Sequence, residues 1–123
     1  MLSASVEVRV RYEETDQMGI VYHANYFTWF EIARIELLDA MGCPYRSLEE
    51  DGLFLPVLGC QADFRLPAHF DDRLRIVVRI EDVPMVRIKA NYEVMREEQL
   101  LASGETTHAF VTGGGKVVRP PEA

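Results

Sequence analysis

Side chains able to do acid–base chemistry are concentrated near the N-terminus, within residues 12–26. Asp16 can serve as a base or a nucleophile, and Tyr12 and His23 can donate or transfer a proton nearby. Asp16 follows a strand-like segment, so its carboxylate can enter a cleft. His23 stands where a helix begins, and the free N–H groups of a helix start attract developing negative charge. A carboxylate beside oriented backbone donors is a minimal arrangement for attack on a carbonyl group.

Structural roles are the alternative at each of these positions. An aspartate in a polar loop is commonly a turn residue, and a single histidine at a helix start is commonly a cap or a surface group. Tyr22 and Tyr26 suit a core or an interface equally well. The residue types alone therefore favour structural roles for Asp16 and His23.

The hydrophobic pattern predicts the elements that hold these residues. Val6, Val8 and Val10 alternate with charged residues, which predicts a strand that ends at Tyr12. Residues 24–41 contain neither Pro nor Gly and are apolar on most sides, which predicts a long helix that a sheet must cover. A short helix is expected within residues 44–52. Further strands are expected at residues 54–66, 74–83, 86–95 and 100–112, with a bulge at Gly104.

This order predicts one α+β domain over residues 1–123, with an antiparallel five-stranded sheet wrapped around a long central helix. The net charge of −7 argues against nucleic-acid binding, because phosphate neutralisation needs a basic surface. No run of about 18 uncharged apolar residues is present, so no membrane span is expected. The N-terminus lacks a secretion-signal pattern, and we therefore expect a cytoplasmic protein.

Metal and disulfide chemistry are not expected. Cys43 and Cys60 lie far apart in the sequence, so we predict two free, buried thiols. No His/Cys cluster has the spacing of metal ligands. Asp71 and Asp72 are adjacent carboxylates, which point apart on an extended chain, and are predicted to have turn and loop-end roles.

A long motif resembles the signature of the YbgC-like and 4-hydroxybenzoyl-CoA thioesterase family of hotdog-fold enzymes. The motif reads Tyr12-x-x-Thr15-Asp16-x-x-Gly19-x-Val21-Tyr22-His23-x-x-Tyr26-x-x-Trp29-x-Glu31-x-x-Arg34. A second segment also resembles this family, and it reads Pro67-Ala68-x-x-Asp71-Asp72-x-Leu74-x-Ile76. The likeness extends from about Val6 to Pro121 and implies the hotdog fold.

The resemblance implies a role for several residues of this motif. Asp16 matches the catalytic carboxylate, the backbone N–H of His23 would polarise the thioester oxygen, and the side chains of His23 and Tyr12 would assist. Arg87 and Lys89, near an expected turn at residues 83–87, or Lys116 and Arg119 in the tail, would meet the nucleotide of coenzyme A. The full set of expected substrate-binding residues is Gly19, Val21, Tyr22, Ala24, Asn25, Arg87 and Lys89.

The resemblance also implies an activity and partners. We expect hydrolysis of a short-chain or aromatic acyl-CoA, with no cofactor besides the coenzyme A of the substrate, in a homodimer or homotetramer. Acyl carrier protein is a further possible partner. A non-catalytic module that binds acyl-CoA or acyl carrier protein is one alternative. A hotdog hydratase or dehydratase is another, although its His-Pro and Asp-x-Asn-Pro-x-His patterns are absent from the sequence.

Glu31 is the rival carboxylate, since other hotdog thioesterases use a glutamate on the helix. The His-Gly-Gly segment associated with that branch is missing here. Arg34 stands three residues further on, where an ion pair along a helix surface forms readily. The sequence therefore predicts a structural pair between Glu31 and Arg34.

Overall fold

The computed structural model describes residues 2–80 and 87–119 of the chain. The helices and strands are β1 (Leu2–Arg9), α1 (Asn25–Ala40), α2 (Tyr45–Glu50), β2 (Leu53–Phe54), β3 (Val57–Phe64), β4 (Arg73–Ile80), β5 (Arg87–Arg96), β6 (Gln99–Thr112) and β7 (Val117–Val118). Helix α1 begins and ends within one residue of the predicted bounds. Within the described ranges, no helix has the length and apolar character needed to cross a membrane.

The strands form one antiparallel sheet in the order β1-β4-β5-β6-β3, and the short strands β2 and β7 add to β6. The predicted α+β class and the sheet around a helix are confirmed. The strand expected at residues 54–66 is divided instead into β2 and β3. Pro56 lies at the break, and proline has no N–H to donate to a ladder. The sequence pattern also missed β7, which lies in the glycine-rich tail.

Helix α1 lies against β1 and β4, and one face of it is the centre of the core. The ring of Phe30 stacks on that of Tyr92, with the centroids 4.3 Å apart. The buried residues of α1 are Tyr26, Trp29, Phe30, Ala33, Arg34, Leu37 and Leu38. Ile32 and Ile35 remain exposed, as expected for a helix that one sheet covers on one side.

Gly104 permits the close approach of α1 to the sheet. A Cβ atom at this position would lie 2.5 Å from Cε2 of Phe30 and 2.7 Å from the carbonyl oxygen of Gln61. The predicted bulge at Gly104 is wrong, because Gly104 pairs in register with Ala62 on one side and Tyr92 on the other. The glycine is needed for packing rather than for a break in the ladder.

The predicted ion pair between Glu31 and Arg34 is wrong. Arg34 is only 8% exposed and its Nη1 donates a hydrogen bond to the hydroxyl of Tyr92 at 3.2 Å. Glu31 is exposed, and no ion pair joins it to any described residue. The rule for helix pairs assumes that both side chains lie on the surface, whereas Arg34 lies at the margin of the buried arc and turns towards β5.

A directed chain of hydrogen bonds continues from Arg34 into the sheet. The hydroxyls of Tyr92 and Thr106 are 2.6 Å apart, and Nε2 of His108 lies 2.7 Å from Oγ1 of Thr106. Nδ1 of His108 lies 3.1 Å from the carbonyl oxygen of Pro56, which can only accept, so Nδ1 carries the proton. Neutral Nε2 then accepts from Thr106, and Thr106 accepts from Tyr92. Burial, and next the charge of Arg34, lower the pKa of His108 from 6.5 to about 4.

Strand β3 is an edge strand that α1 does not cover. Its side chains are exposed with one exception, and three of them are large and apolar: Val57, Leu58 and Phe64. Cys60 lies on this strand and is exposed, so the prediction of a buried thiol is wrong there. Cys43 is partly buried, and both thiols are free, as predicted.

The pair Asp71 and Asp72 serves the loop before β4, as predicted. Asp71 adopts a left-handed φ of 71° and its carboxylate pairs with Arg9. Asp72 accepts hydrogen bonds from the N–H of His69 at 2.9 Å and from Arg96 at 2.9 Å. Both carboxylates are therefore occupied by structural partners.

We expect the free energy of unfolding to decrease as the pH falls from about 6.5 to about 4, because of His108. In that window the unfolded imidazole binds a proton while the folded one stays neutral, so acid favours the unfolded chain. At about pH 4 the free energy of unfolding is lower than at about pH 6.5 by on the order of 2–3 kcal/mol. Urea denaturation over this pH range measures it. His108→Gln should remove this part of the pH dependence, whereas His69→Gln, at an exposed histidine, should keep it. A wild-type slope in His108→Gln would contradict the assignment.

Gly104→Ala should lower the free energy of unfolding by roughly 1–3 kcal/mol, since the methyl group must displace the Phe30 ring or the Gln61 carbonyl. Gly59→Ala is the matched control, because Gly59 lies on the neighbouring β3 and an added Cβ there meets no heavy atom within 4 Å. The control should stay within about 0.5 kcal/mol of the wild type. Equal losses in both variants, measured by urea denaturation, would show that contact with Phe30 is not the cause.

Candidate active site

Asp16 opens a tight loop that backbone hydrogen bonds close. Thr15 and Val21 form an isolated antiparallel bridge at its base. The N–H of Asp16 donates to the carbonyl of Ile20 at 2.9 Å, and the N–H of Gly19 donates to the carbonyl of Asp16 at 2.9 Å. Gly19 has a φ of 80°, in the left-handed region that favours glycine. The backbone of Asp16 is therefore fixed on both sides.

The carboxylate of Asp16 keeps one oxygen free. Its Oδ1 accepts the N–H of Met18 at 2.8 Å, the geometry of a turn stabilised by its own aspartate. Its Oδ2 accepts no hydrogen bond from any residue in the described ranges. The side chain is half-buried, so the free oxygen is available to a water molecule or a substrate.

The start of α1 offers two backbone donors. The N–H of Asn25 donates to the carbonyl of Tyr22 at 3.0 Å, and that of Tyr26 donates to the carbonyl of His23 at 3.2 Å. The N–H groups of His23 and Ala24 have no acceptor among residues 2–80 and 87–119. Two adjacent free donors at a helix start can bind an oxyanion.

A buried carboxylate, that of Glu14, joins the loop to the helix. Its Oε1 accepts the backbone N–H of Arg11 at 2.7 Å, and its Oε2 accepts the indole N–H of Trp29 at 3.1 Å. The carbonyl oxygen of Glu14 accepts the N–H of Tyr22 at 2.9 Å and the amide of Asn25 at 2.8 Å. Glu14 thus fixes the position of the Asp16 loop relative to the first turn of α1.

Aromatic rings surround the helix start. The ring of His23 lies 4.5 Å from that of Tyr22 and 6.4 Å from that of Phe64, measured between centroids. Phe64, the last residue of β3, also packs edge-on against Tyr26 at 4.9 Å. His23, Tyr22 and Phe64 are all exposed, so the end of β3 and the helix start form one open aromatic surface.

Tyr12 lies in a short 3-10 turn, Tyr12–Glu14, rather than at the end of β1. Its ring is 77% exposed and packs against Phe70, with the centroids 5.5 Å apart. Its hydroxyl forms no hydrogen bond with a described residue. The two side chains predicted to assist Asp16, those of Tyr12 and His23, are therefore both open to solvent.

Comparison with known proteins identifies the family. Residues 10–123 match the family model of the Thioesterase-like superfamily. The chain belongs to the thioesterase-like superfamily. It is similar to the acyl-CoA thioesterase YbgC of Haemophilus influenzae, with 34% identity over 111 residues that cover 89% of this chain and 82% of the relative.

Solved structures of thioesterases have the same fold. The DHNA-CoA thioesterase of Staphylococcus aureus is 29% identical and has a TM-score of 0.91 over 97% of this chain and 81% of its own. A 4-hydroxybenzoyl-CoA thioesterase, 23% identical, has a TM-score of 0.90 over 98% of this chain and 94% of its own, and this likeness concerns the fold. The predicted family, the hotdog fold and the class of thioester hydrolase are confirmed.

Two of the residues expected to bind substrate make structural contacts in the described chain. Val21 is buried in the core, and its N–H donates to the carbonyl of Ala68 at 2.8 Å. The side chain of Asn25 is held by Glu14. The other residues of segment 19–25 that were expected to bind substrate are exposed: Gly19, Tyr22 and Ala24.

Glu14 was not found by the sequence analysis. An acidic residue in a polar loop has no periodicity that would mark it as buried. The signal lay at Trp29, because an indole N–H in the apolar arc of a helix needs an acceptor. Several acidic residues lie nearby in the sequence, and the structure shows that Glu14 is the one that supplies this acceptor.

The cations expected to bind the nucleotide of coenzyme A lie far from Asp16 within one chain. Arg96, at the end of β5, donates to Asp72, next to the segment that leads into the Asp16 loop. Arg87 and Lys89 stand at the opposite end of β5, roughly 25 Å away at about 3.3 Å per residue. Lys89 also pairs with a glutamate of β6 at 3.4 Å.

The other nucleotide-binding candidates lie at that same far end. Of the turn expected at residues 83–87, only Arg87 lies inside the described ranges. Lys116 and Arg119 are exposed on either side of β7, which pairs with the end of β6. One chain therefore collects the candidate cations at one end of its sheet and the candidate catalytic carboxylate at the other.

Glu14→Gln should lower the free energy of unfolding by roughly 1–3 kcal/mol, because the amide nitrogen cannot accept and one donor loses its partner. The fluorescence emission of Trp29, the single tryptophan, should change in the folded variant. Glu13→Gln is the control, since the Glu13 side chain is 72% exposed and, among the described residues, pairs with Arg11 alone. The Glu13→Gln substitution should lower the free energy of unfolding by no more than about 1 kcal/mol. Identical behaviour of the two variants would refute the positioning role of Glu14.

Proposed function

We propose that this thioesterase-like protein hydrolyses acyl-CoA thioesters and that Asp16 is its catalytic carboxylate. The observation that carries the proposal is the arrangement around the helix start. A carboxylate oxygen of Asp16 that accepts from no described residue belongs to a loop that Glu14 ties to the helix start, where the N–H groups of His23 and Ala24 have no described acceptor. The names of the relatives, an acyl-CoA thioesterase and a DHNA-CoA thioesterase, support acyl-CoA as the substrate.

The chemistry of this arrangement can follow two routes. As a base, Asp16 removes a proton from water, whose oxygen attacks the thioester carbonyl carbon. As a nucleophile, Asp16 attacks that carbon itself, and water then cleaves the mixed anhydride. In both routes the carbonyl oxygen becomes an oxyanion that the N–H groups of His23 and Ala24 stabilise. The carbon–sulfur bond breaks, and the departing thiolate takes a proton.

The exposed side chains of His23 and Tyr12 are the proposed proton donors for that thiolate. His23 is adjacent to the oxyanion donors, because its own N–H is one of them. Tyr12 is linked to the loop through its carbonyl oxygen, which accepts from the hydroxyl of Thr15 at 2.7 Å. Both side chains are exposed.

Single turnover in heavy-oxygen water separates the two routes. Label found in the carboxylate of Asp16 after one turnover supports the nucleophile, because water then attacks the anhydride at the enzyme carbon. Label confined to the released acid agrees with the base and also with attack of water on the acyl carbon of the anhydride. Mass spectrometry of the peptide that contains Asp16 provides the measurement.

The proposed acyl group is short and aliphatic, or aromatic. The open aromatic surface of Tyr22, His23 and Phe64 can pack against either type. A thioester on acyl carrier protein is an alternative donor of the same group. A module that only binds acyl-CoA is the competing function, and release of free thiol from a panel of acyl-CoAs distinguishes it from the enzyme. The expectations of no cofactor, no metal and a cytoplasmic location remain predictions.

A homodimer formed through β3 is part of the proposal, and a homotetramer would contain two such dimers. Strand β3 is a sheet edge with exposed apolar side chains, and an exposed edge readily pairs with another strand. Antiparallel pairing of two copies of β3 would set the Val57 end of one beside the Phe64 end of the other. The cationic end of one copy, with Arg87 and Lys89, would then lie on the same side as Asp16 of its partner.

Asp16→Asn should reduce turnover by roughly 10²–10⁴-fold while the protein stays folded, since the amide can neither take a proton usefully nor attack a carbonyl. Glu31→Gln is the matched carboxylate control. Glu31 is exposed and pairs with no described residue, so this variant should keep both turnover and stability. Thiol release from acyl-CoA and urea denaturation measure the two properties.

The reverse result has a clear meaning. A folded Glu31→Gln variant without activity, together with an active Asp16→Asn variant, would transfer the catalytic role to the helix. Loss of activity in both variants with an intact fold would indicate that the two carboxylates act together.

A further inference from the structure

A loop of residues 67–72 holds the chain on both sides of Asp16. Val10 exchanges two backbone hydrogen bonds with this loop, each 3.0 Å long, and the N–H of Val21 donates to the carbonyl of Ala68 at 2.8 Å. Val10 precedes the segment that carries Asp16, and Val21 follows it. The loop therefore fixes the backbone at both ends of that segment.

Polar side chains and burial fix the loop itself. Asp72 accepts the N–H of His69 at 2.9 Å and Nη1 of Arg96 at 2.9 Å. The same Nη1 of Arg96 donates to the carbonyl of Pro67 at 3.3 Å, and Ala68 is fully buried. A loop that is bonded at so many points presents its exposed side chains in defined directions.

Phe70 is the side chain that this loop directs at Tyr12. Phe70 is 56% exposed, and its ring packs against that of Tyr12 with the centroids 5.5 Å apart and the planes inclined at 43°. A tilted aromatic pair at this separation is attractive. An exposed tyrosine otherwise samples several rotamers, and a contact of this kind favours one of them by roughly 2- to 10-fold.

We propose that Phe70 is a positioning residue, which holds the phenol of Tyr12 where it can give its proton to the departing thiolate of coenzyme A. The inference rests on the proposed function, in which Tyr12 is one of two proton donors. Tyr12 needs this support, because it is 77% exposed and the Asp16 loop bonds to its carbonyl oxygen rather than to its ring.

The proton transfer is balanced without a further reactant. When the carbon–sulfur bond breaks, its electron pair stays on sulfur, and the proton of the Tyr12 hydroxyl moves to that sulfur. The tyrosinate then regains a proton from water. Phe70 takes no part in this exchange and acts only through the direction of the Tyr12 ring.

A double-mutant cycle on kcat tests the role of Phe70. Phe70→Leu keeps an apolar side chain without a ring, and it should lower kcat for acyl-CoA by roughly 2- to 10-fold with KM unchanged, because the thiolate forms only after binding. Tyr12→Phe has no phenolic proton to place and should lower kcat by at least the same factor. Addition of Phe70→Leu to Tyr12→Phe should then have no further effect.

Two further variants separate the ring contact from a general effect on the loop. Phe70→Tyr keeps an aromatic ring and should recover most of the wild-type kcat. His69→Gln changes the neighbouring exposed side chain and leaves the pair of rings intact, so it should keep the wild-type kcat. Urea denaturation should show all of these variants folded, and Phe70→Met repeats the cycle should Phe70→Leu not fold.

The possible failures are distinguishable. An unchanged kcat in Phe70→Leu, or an equal loss with and without the Tyr12 hydroxyl, overturns the role of Phe70 and leaves the proposed function standing. An unchanged kcat in Tyr12→Phe, together with an inactive Asp16→Asn, overturns the roles of Phe70 and Tyr12 and leaves that of Asp16. If the wild type releases no thiol from any acyl-CoA, the proposed function fails and the role of Phe70 fails with it.

Discussion

The geometry of the candidate active site depends on the buried carboxylate of Glu14. Two donors from different elements, the backbone of Arg11 and the indole of Trp29, share its two oxygens, and its carbonyl oxygen holds the turn that leads into α1. A buried carboxylate retains its charge only where such donors replace water. Because loop and helix are attached to the same residue, Asp16 and the oxyanion donors cannot shift independently. Preorganised donors of this kind need no reorganisation when charge develops.

Arg34 is also a buried charged group, positive where Glu14 is negative. Its hydrogen-bonding groups have fewer partners than those of Glu14. Glu14 has a donor for each oxygen, whereas Arg34 finds one acceptor for its several N–H groups among residues 2–80 and 87–119. The hydrogen-bonded layer from Arg34 to His108 also lies between two apolar clusters, one centred on Phe30 and the other on Leu38 and Phe110. A layer of directed hydrogen bonds fixes the relative position of two packed regions more sharply than apolar contact does, because its geometry tolerates little displacement.

Much of the fold could be predicted because its local signals agree with its packing. Helix α1 was predicted almost to the residue, since the segment between the turn at Gly19 and the stop at Gly42 contains no breaker and carries a wide apolar arc. The hotdog fold was predicted from a resemblance of spaced residues, and so was the proposed role of Asp16, because the residue types alone favoured a turn at that position. The strand break at Pro56 was visible as a proline, but the apolar run around it was read as one strand.

The features that sequence analysis missed depend on contacts between distant residues. Arg34 could pair on the helix surface, and only the position of Tyr92 beneath it turns the side chain inwards. Gly104 resembled a bulge, whereas its purpose is to admit Phe30. Cys60 was expected in the core, yet it is exposed on the edge strand β3 in the described part of the chain. In each case the decisive neighbour is far away in sequence, so no local pattern records it.

The pairing of β1 has a consequence for how the protein folds during its synthesis. β1 precedes the other described strands in the chain, yet among them it pairs only with β4, whose last residue, Ile80, is the partner of Leu2. The strands β4, β5 and β6 pair with near neighbours, so they can form a meander early through local contacts. Until β4 has left the ribosome, β1 and the apolar face of α1 have no cover, and this interval spans roughly 4–16 s at about 5–20 residues per second. The nascent chain is therefore most exposed to misassociation before its second half appears, and it would benefit there from a chaperone that shields apolar segments.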